Sequence, residues 1–367
     1  MKALLLVADL EDYTISYVNG LVRHLPVVLG VPHRRYAELA CWIDPAVDLR
    51  LLDWPRHSAP SNPWFLFNLT RLIRRERPSL IHLLSNTTLW LNFAAPFWRP
   101  IPMVTTVHDL QLHPGDVETS VLPRWSTNLI VRQSGHVVVH GEGLRRIAVD
   151  RFSKAPDRVH VLSHPSILRY TELARRQKLM RRVEDGTLRV LMFGRIFAYK
   201  GLEYLIRAEA ILKDALPEMR ITIAGRGDDP WALRSLMGRP DRYDIRNRYI
   251  DDADVAQLFL DADVVVLPYM EASQSGVLNL AAAFGKPVIT TDVGELRASV
   301  EPHGLGLVVP PGDPERLARA IRILAESATL RNELGANALA WATGPNAPET
   351  IGAQAASLYR SVVRSCA

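Results

Sequence analysis

Cysteine is almost missing from this chain: of 367 residues only Cys41 and Cys366 carry a thiol. Neither belongs to a CxxC pair or a Cys/His ligand spacing, so a disulfide framework and a structural zinc site are excluded and a reducing compartment fits. Long apolar runs are lacking too. The first, Ala3 to Ala8 between Lys2 and Asp9, is shorter than a signal-peptide core and far shorter than a membrane span, so a buried strand is expected there and no leader. Neither sign of charge dominates, with 44 Lys and Arg against 39 Asp and Glu. With 48% hydrophobic and 23% charged residues the chain is neither disordered, collagenous nor a coiled coil. A complete dinucleotide fingerprint is also missing, because Pro230 stands where the third glycine after Gly225 and Gly227 would be. The aspartate pairs Asp252/Asp254 and Asp261/Asp263 have no His or carboxylate cluster beside them, and no metal site is expected.

What is present is an alternation of short apolar runs with longer amphipathic stretches, the pattern of strands joined through helices into parallel sheets. The length, at about 150 residues per domain, predicts two large domains. Strands are expected at Ala3 to Ala8, Val27 to Val31, Leu80 to Leu84, Met103 to Val107, His136 to His140 and Val159 to Ser163 in the first half. The second half offers Leu188 to Phe193, Arg220 to Ala224, Asp263 to Leu267, Pro287 to Thr291 and Gly306 to Val309. Between the series, residues 163–187 are polar, basic and poor in strand signals, which places the boundary near Asp185. The expected organisation is residues 1–185, residues 186–347, and a helix over 348–367 that follows the breaker-rich TGPNAPE. Another helix is expected over Asp313 to Ser327. Basic charge gathers in residues 1–180, where 22 Lys and Arg face 15 Asp and Glu; residues 181–367 carry 22 against 24. Such a half suits an anionic membrane surface, nucleic acid or a phosphorylated substrate, or is simply an unevenly charged solvated surface.

The segment RVLMFGRIFAYKGLEYLIRAEAIL reads as a buried strand, then Gly194-Arg195, then Lys200-Gly201, then a helix. Ligands in open α/β sheets collect at the carboxyl ends of strands, and a helix N-terminus there offers unpaired N–H groups. An arginine fork and a mobile lysine charge at that point suit a diphosphate, although Arg and Lys in a strand-helix loop are by themselves more often solvated. In DADVVVLPYMEASQSGVLNLAAAFGKPVITTDVGEL, Ser273, Gln274, Ser275 and Gly276 open a second helix in the same way. Glu271, just before that loop, can accept hydrogen bonds from sugar hydroxyls or act as a carboxylate favoured by the helix dipole. In MVTTVHDLQLHPGD, His108 and Asp109 follow a strand, and His113 follows closely. A lone histidine there is more often structural, and Asp109 can orient it or cap the next turn.

Taken together, these segments resemble the family-four retaining glycosyltransferases, whose fold is GT-B: two Rossmann-like, doubly wound α/β domains facing a central cleft, with a C-terminal helix crossing back to the first. The resemblance spans nearly the whole chain and is strongest over residues 188–312. There GR-x4-KG, GRGDD, DADVVVLPY, the SQSG loop, GKPVI and GLVVPPGD occur in the family's order. It implies a metal-independent, hexosyltransferase-like enzyme of polysaccharide biosynthesis that moves a sugar from a nucleotide sugar to a glycan or lipid-linked acceptor. No cofactor beyond the donor and no nucleic acid are then expected. Gly194, Arg195 and Lys200 would bind the donor diphosphate with the backbone loop Ser275, Gly276 and Val277, flanked by Ser273, Gln274 and Asn279. His108 would hold a sugar hydroxyl or stabilise the departing group, with Asp109 and Glu271 as further catalytic candidates, and His164 resembles another recurring position. A cytoplasmic enzyme, peripheral on the inner face of the membrane, is the implied setting.

The chain departs from that family at two places. The family usually carries two glutamates with seven residues between them around the phosphate loop; here Glu271 is alone, with Asn279 or Leu280 where the second would be. The glycine-rich loop expected after the first strand is replaced by ADLEDYTIS. A nucleotide-sugar epimerase of the same fold and a non-catalytic partner of another transferase therefore remain alternatives. Finally, NPWFLFNLTRLIRRERP sets Trp64, Phe65, Phe67, Leu69, Leu72 and Ile73 among Arg71, Arg74, Arg75 and Arg77, either a membrane-surface helix or a core-packed one with a solvated basic face.

Overall fold

In the computed structural model, residues 1–56, 59–85, 91, 94–108, 129, 131–182, 186–216 and 218–366 are described. By contacts the chain forms two compact units. One contains the chain up to Pro165 together with Asn346–Ala367, and the other contains Ser166–Pro345.

The first unit holds a parallel sheet of β1 (Ala3–Leu6), β2 (Val27–Pro32), β3 (Asp48–Leu52), β4 (Leu80–Leu83), β5 (Met103–Thr106), β6 (His136–Val139) and β7 (Val159–Val161), in the order β3-β2-β1-β4-β5-β6-β7. The second holds β8 (Leu188–Phe193), β9 (Met219–Gly225), β10 (Tyr243–Asn247), β11 (Val264–Leu267), β12 (Val288–Thr291) and β13 (Gly306–Val309), in the order β10-β9-β8-β11-β12-β13. All the pairings are parallel, so crossover helices cover the faces and the central strands are mostly apolar: β1 and β11 are continuous apolar runs, while β4 carries His82 and β6 opens with His136. The two strands that sequence reading passes over, β3 and β10, are sheet edges. DLRLL and YDIRN mix polar and apolar residues because part of each strand meets water.

The boundary expected near Asp185, itself outside the described residues, lies instead between Pro165 and Ser166. Polar composition is misleading here. The Arg169–Arg176 helix buries Tyr170 and Ala174 in the second unit's core beside Val255 and Phe259, and the Arg169 guanidinium, almost wholly buried, grips both oxygens of Asp252 at 2.5 and 2.9 Å. The expected helix over Asp313 to Ser327 is found as Pro314–Glu326, capped by the Asp313 carboxylate, which accepts from the Arg316 N–H at 2.9 Å.

The last helix, Pro348–Cys366, belongs to the first unit and lies against the Glu11–Leu21 helix. Their backbones touch where glycine meets glycine: a Cβ on Gly352 would fall 2.2 Å from the Gly20 carbonyl carbon, and one on Gly20 would fall 1.7 Å from the Pro348 oxygen. Tyr359 reaches from this helix into the core, where its hydroxyl meets that of Tyr17 at 2.8 Å and also His82 Nδ1; His82 Nε2 is 2.9 Å from Thr106 Oγ1. Burial holds the His82 pKa down to about 3, with His108 nearby adding to the shift.

Two tests follow from these contacts. Gly352→Ala should lower the unfolding free energy by roughly 1–3 kcal/mol or more, because the added methyl meets backbone that cannot yield; the urea midpoint measures it, and an unchanged midpoint contradicts the close packing. The second concerns pH. His82 is neutral when folded but takes up a proton in the unfolded chain below about 6.5, so its contribution is complete above that pH and is lost as pH falls towards about 3. Denaturation midpoints at pH 7, 5.5 and 4.5 should decline steadily, and more shallowly in His82→Gln; a flat profile in the wild type contradicts a buried neutral imidazole.

Candidate functional site

In the second unit the residues expected to hold a diphosphate are brought together by backbone packing at the strand exits. β8 ends at Phe193, and Gly194 turns the chain with φ +109°. Its N–H donates to the Ala224 carbonyl at 2.9 Å, and a Cβ on Gly225 would stand 1.8 Å from the Gly194 oxygen. The loop then runs beside the one that follows β9, with the Ile196 N–H donating to Arg226 and the Asp228 N–H to Ile196. Arg195, half-buried, leaves this ribbon with its guanidinium 5.9 Å from the Phe197 ring centre. On its other side Gly194 abuts the second loop: a Cβ there would lie 3.5 Å from Val277 Cγ2.

Lys200 closes a single turn over Ala198–Lys200, and Gly201 at φ +71° starts the Leu202–Leu212 helix. No side chain fits at Gly201, where a Cβ would lie 1.9 Å from the Pro268 oxygen. The turn is joined to the chain after β11 by the Met270 N–H, which donates to the Tyr199 carbonyl at 2.8 Å. Half-buried Lys200 places its Nζ 3.7 Å from the centre of the Tyr269 ring, a cation–π geometry. Tyr269 in turn reaches the phosphate loop, its hydroxyl 3.3 Å from Ser275 Oγ. Ser275 has an extended backbone and makes no side-chain cap to the Gly276–Ala283 helix that it precedes. The first-turn N–H groups of that helix take no side-chain cap from Ser275, and such groups favour an anion.

The remaining expected residues differ in standing. Ser273 is buried and its carbonyl accepts from the Glu295 N–H at 3.1 Å. Asn279 is buried and its amide donates to the Ser275 carbonyl at 3.3 Å, so at least that edge braces the loop from within. Gln274 is half-buried, whereas Glu271 is exposed ahead of the loop. Tyr269, which links Lys200 to Ser275, is absent from the sequence reading; as the last residue of the apolar run DADVVVLPY it looks like core, and at 1% exposure it is core as well.

In the first unit His108 stands where expected, just beyond the carboxyl end of β5. Asp109 and His113 lie outside the described residues. His108 is not alone: His140 follows β6 and His164 follows β7, so three neighbouring strands each deliver a histidine to one sheet edge. His140 Nε2 is 3.1 Å from His108 Nδ1, His108 Nε2 is 2.8 Å from the Leu84 carbonyl oxygen, and His140 Nδ1 is 2.7 Å from that of Leu162. Tyr13, from the Glu11–Leu21 helix, packs its ring against all three, with centroids at 4.7, 5.4 and 4.9 Å. Burial holds the His164 pKa down to about 4 and pushes that of His140 well below the usual value, His108 adding to both shifts. Sequence reading passes over His140 because it closes the apolar run HVVVH; the available signal is the repetition of a histidine after three strands. Among the described residues no group of three or more His, Cys, Asp or Glu is arranged to hold a metal ion.

The Asn62–Glu76 helix divides its residues cleanly. Leu69 and Ile73 are buried in the first unit and Leu72 partly so, while Trp64 and Phe67 are exposed and stacked, with centroids 5.6 Å apart. Arg71, beside Phe67, and Arg74, Arg75 and Arg77 are exposed too. Between this helix and edge strand β3 lies a concavity of about 950 Å³ lined by Leu49, Leu51, Leu52, Phe65, Leu72 and Arg75 among others. Among the described residues no helix is long and apolar enough to cross a membrane.

Comparison with known proteins joins these observations. Residues 187–327 match the family model of the glycosyl transferases group 1, and residues 11–165 that of glycosyltransferase family 4. The chain is 26% identical over 316 residues to an alpha-D-kanosaminyltransferase of Streptomyces kanamyceticus, covering 82% of this chain and 81% of that one. It is 27% identical over 332 residues to a D-inositol 3-phosphate glycosyltransferase of Corynebacterium glutamicum, covering 82% and 76%. In fold it is similar to Anabaena Alr3699/HepE, solved in complex with UDP, at a TM-score of 0.73 and 17% identity over 98% of this chain and 100% of that one.

Proposed function

This chain belongs to the family-four, group 1 glycosyltransferases and has their GT-B fold, and we propose that the transfer it catalyses takes a sugar from a nucleoside-diphosphate donor to a hydroxyl with retention of configuration. The observation that carries this reading is the junction in the second unit where Gly194 abuts Val277 and Lys200 is linked through Tyr269 to Ser275. Arg195, Lys200 and the N–H groups at the start of the Gly276–Ala283 helix offer fixed and mobile positive charge to the two phosphates. Held so, the departing diphosphate has its growing negative charge stabilised, and its oxygen is the base for the acceptor's proton on the same face of the sugar. No protein nucleophile and no metal ion take part in this mechanism. The UDP bound by the Anabaena relative in fold supports a nucleoside-diphosphate donor. The exposed position of Glu271 is compatible with a contact to donor hydroxyls.

The acceptor proposed is a glycan or a lipid-linked intermediate, met at an anionic membrane surface. The support is the outward face of the Asn62–Glu76 helix, where the exposed pair Trp64 and Phe67 shares the surface with exposed Arg71, Arg74 and Arg75, the composition of an interfacial anchor.

Two measurements test this function. Lys200→Ala should leave the melting temperature near that of the wild type but lower kcat about a hundredfold, since one preorganised contact to developing charge is worth about 3 kcal/mol. Arg195→Lys should also lose activity, because a point charge replaces the planar fork. Near-normal turnover in Lys200→Ala overturns the diphosphate assignment, and conversion of the nucleotide sugar without an acceptor points to an epimerase instead. For the membrane, flotation with anionic vesicles should recover the protein at low salt and lose it at high salt. An Arg71/Arg74/Arg75→Gln triple variant should be weakened by about 1 kcal/mol per arginine. Equal recovery on neutral and anionic vesicles, indifferent to salt, contradicts this surface role.

A further inference from the structure

The hydrogen bonds of the histidine edge impose a proton count. From the Leu84 carbonyl to the Leu162 carbonyl run four ring nitrogens: His108 Nε2, His108 Nδ1, His140 Nε2 and His140 Nδ1, with contacts of 2.8, 3.1 and 2.7 Å. A carbonyl oxygen only accepts, so His108 Nε2 and His140 Nδ1 must each carry hydrogen. The central contact needs one hydrogen more. Two neutral imidazoles bring two protons, which leaves either two lone pairs facing each other at 3.1 Å or one carbonyl without its donor. Two imidazolium rings bring four, which sets two N–H groups head to head. Only three protons satisfy all three contacts, and three protons on two imidazoles mean one positive charge.

We propose that His108 stands as an imidazolium at neutral pH and that His140, neutral with its proton on Nδ1, is the positioning residue that holds it so. The charge belongs on His108 because His140 is the more deeply buried ring and because burial and the neighbouring histidines oppose its protonation. Leu162 fixes the tautomer: by claiming the Nδ1 proton of His140 it turns the lone pair of Nε2 towards His108. Acceptors on both nitrogens favour the charged form of His108. Among the described residues, the titratable groups that face the pair are His164 beyond β7, Tyr13 on the Glu11–Leu21 helix, and His82 on β4. Both of these histidines are held neutral by burial.

The consequence is a fixed positive charge at the carboxyl edge of the first unit's sheet, held by a ring that donates both its N–H groups to the protein. A ring whose two N–H groups are both engaged offers charge rather than a hydrogen bond to an anionic ligand group that reaches this edge. That use rests on the transferase reading, whereas the protonation state does not.

The test is a long-range proton–nitrogen correlation spectrum of the full chain labelled with 15N-histidine, at pH 7.5 and without substrate, with His108→Gln and His140→Gln assigning the signals. His108 should show hydrogen on both nitrogens and His140 on Nδ1 alone, and His108 should titrate above neutrality. In His140→Phe its midpoint should fall by about one pH unit or more, a tenfold loss of proton affinity, while His140→Gln, which offers an acceptor oxygen, should restore most of it. If His140→Phe does not fold, the wild-type spectrum decides by itself. A neutral His108 at pH 7.5, or a midpoint unchanged in His140→Phe, overturns the proposal. Because the spectrum needs no turnover, an imidazolium found in a protein without transferase activity upholds the proton assignment and sinks the functional reading alone.

Discussion

Side chains cannot stand between the loops that leave the second sheet, and much of the geometry of the proposed donor site follows from that exclusion. Gly225 lies on the Gly194 carbonyl, Gly201 on that of Pro268 and Gly294 on that of Ala272, each at a distance where a methyl group would collide with backbone. Loops packed this closely have few conformations left, and they carry Arg195 and Lys200 with them. A flexible cation pays in entropy each time it engages a ligand; one delivered by a rigid turn has met most of that cost on folding. The ring of Tyr269 under Lys200 serves the same end, holding the ammonium group over an apolar face without neutralising it as a carboxylate would.

In the first unit the parallel sheet produces a different result from the same rule. Its central strands are mostly apolar, with His82 on β4 and Thr105 and Thr106 on β5 among the buried exceptions, and three adjacent strand ends carry histidine. Rings this close cannot titrate independently. Burial keeps His82, His140 and His164 neutral in the folded protein at neutral pH.

Much of this was legible in the amino-acid sequence, and the exceptions share a cause. The central strands and the loops at Gly194 and Gly276 are local features: apolar runs, then glycine, then a helix. The family resemblance rests on those loops in their order. Edge strands β3 and β10 are not legible, because half-wet strands lose the apolar run that marks the others. The boundary near Asp185 failed because Arg169 and its neighbours look like a polar linker until Asp252, distant in the chain, is seen to pair with the buried guanidinium. His140 and Tyr269 were passed over for the same reason: what each does is set by partners that only the fold supplies, Leu162 and His108 for one, Lys200 and Ser275 for the other. Asn279 braces the loop that contains Ser275, a contact that its place in the sequence does not announce.

The return of the Pro348–Cys366 helix to the Glu11–Leu21 helix makes the second unit an insertion within the first. During synthesis the ribosome therefore finishes the inserted unit while the earlier one still has Tyr17, Val18 and Leu21 without the cover that Tyr359, Ile351 and Ala355 later give them. The unit made first is completed last, and until then it is the part of the nascent chain that chaperones and proteases would recognise.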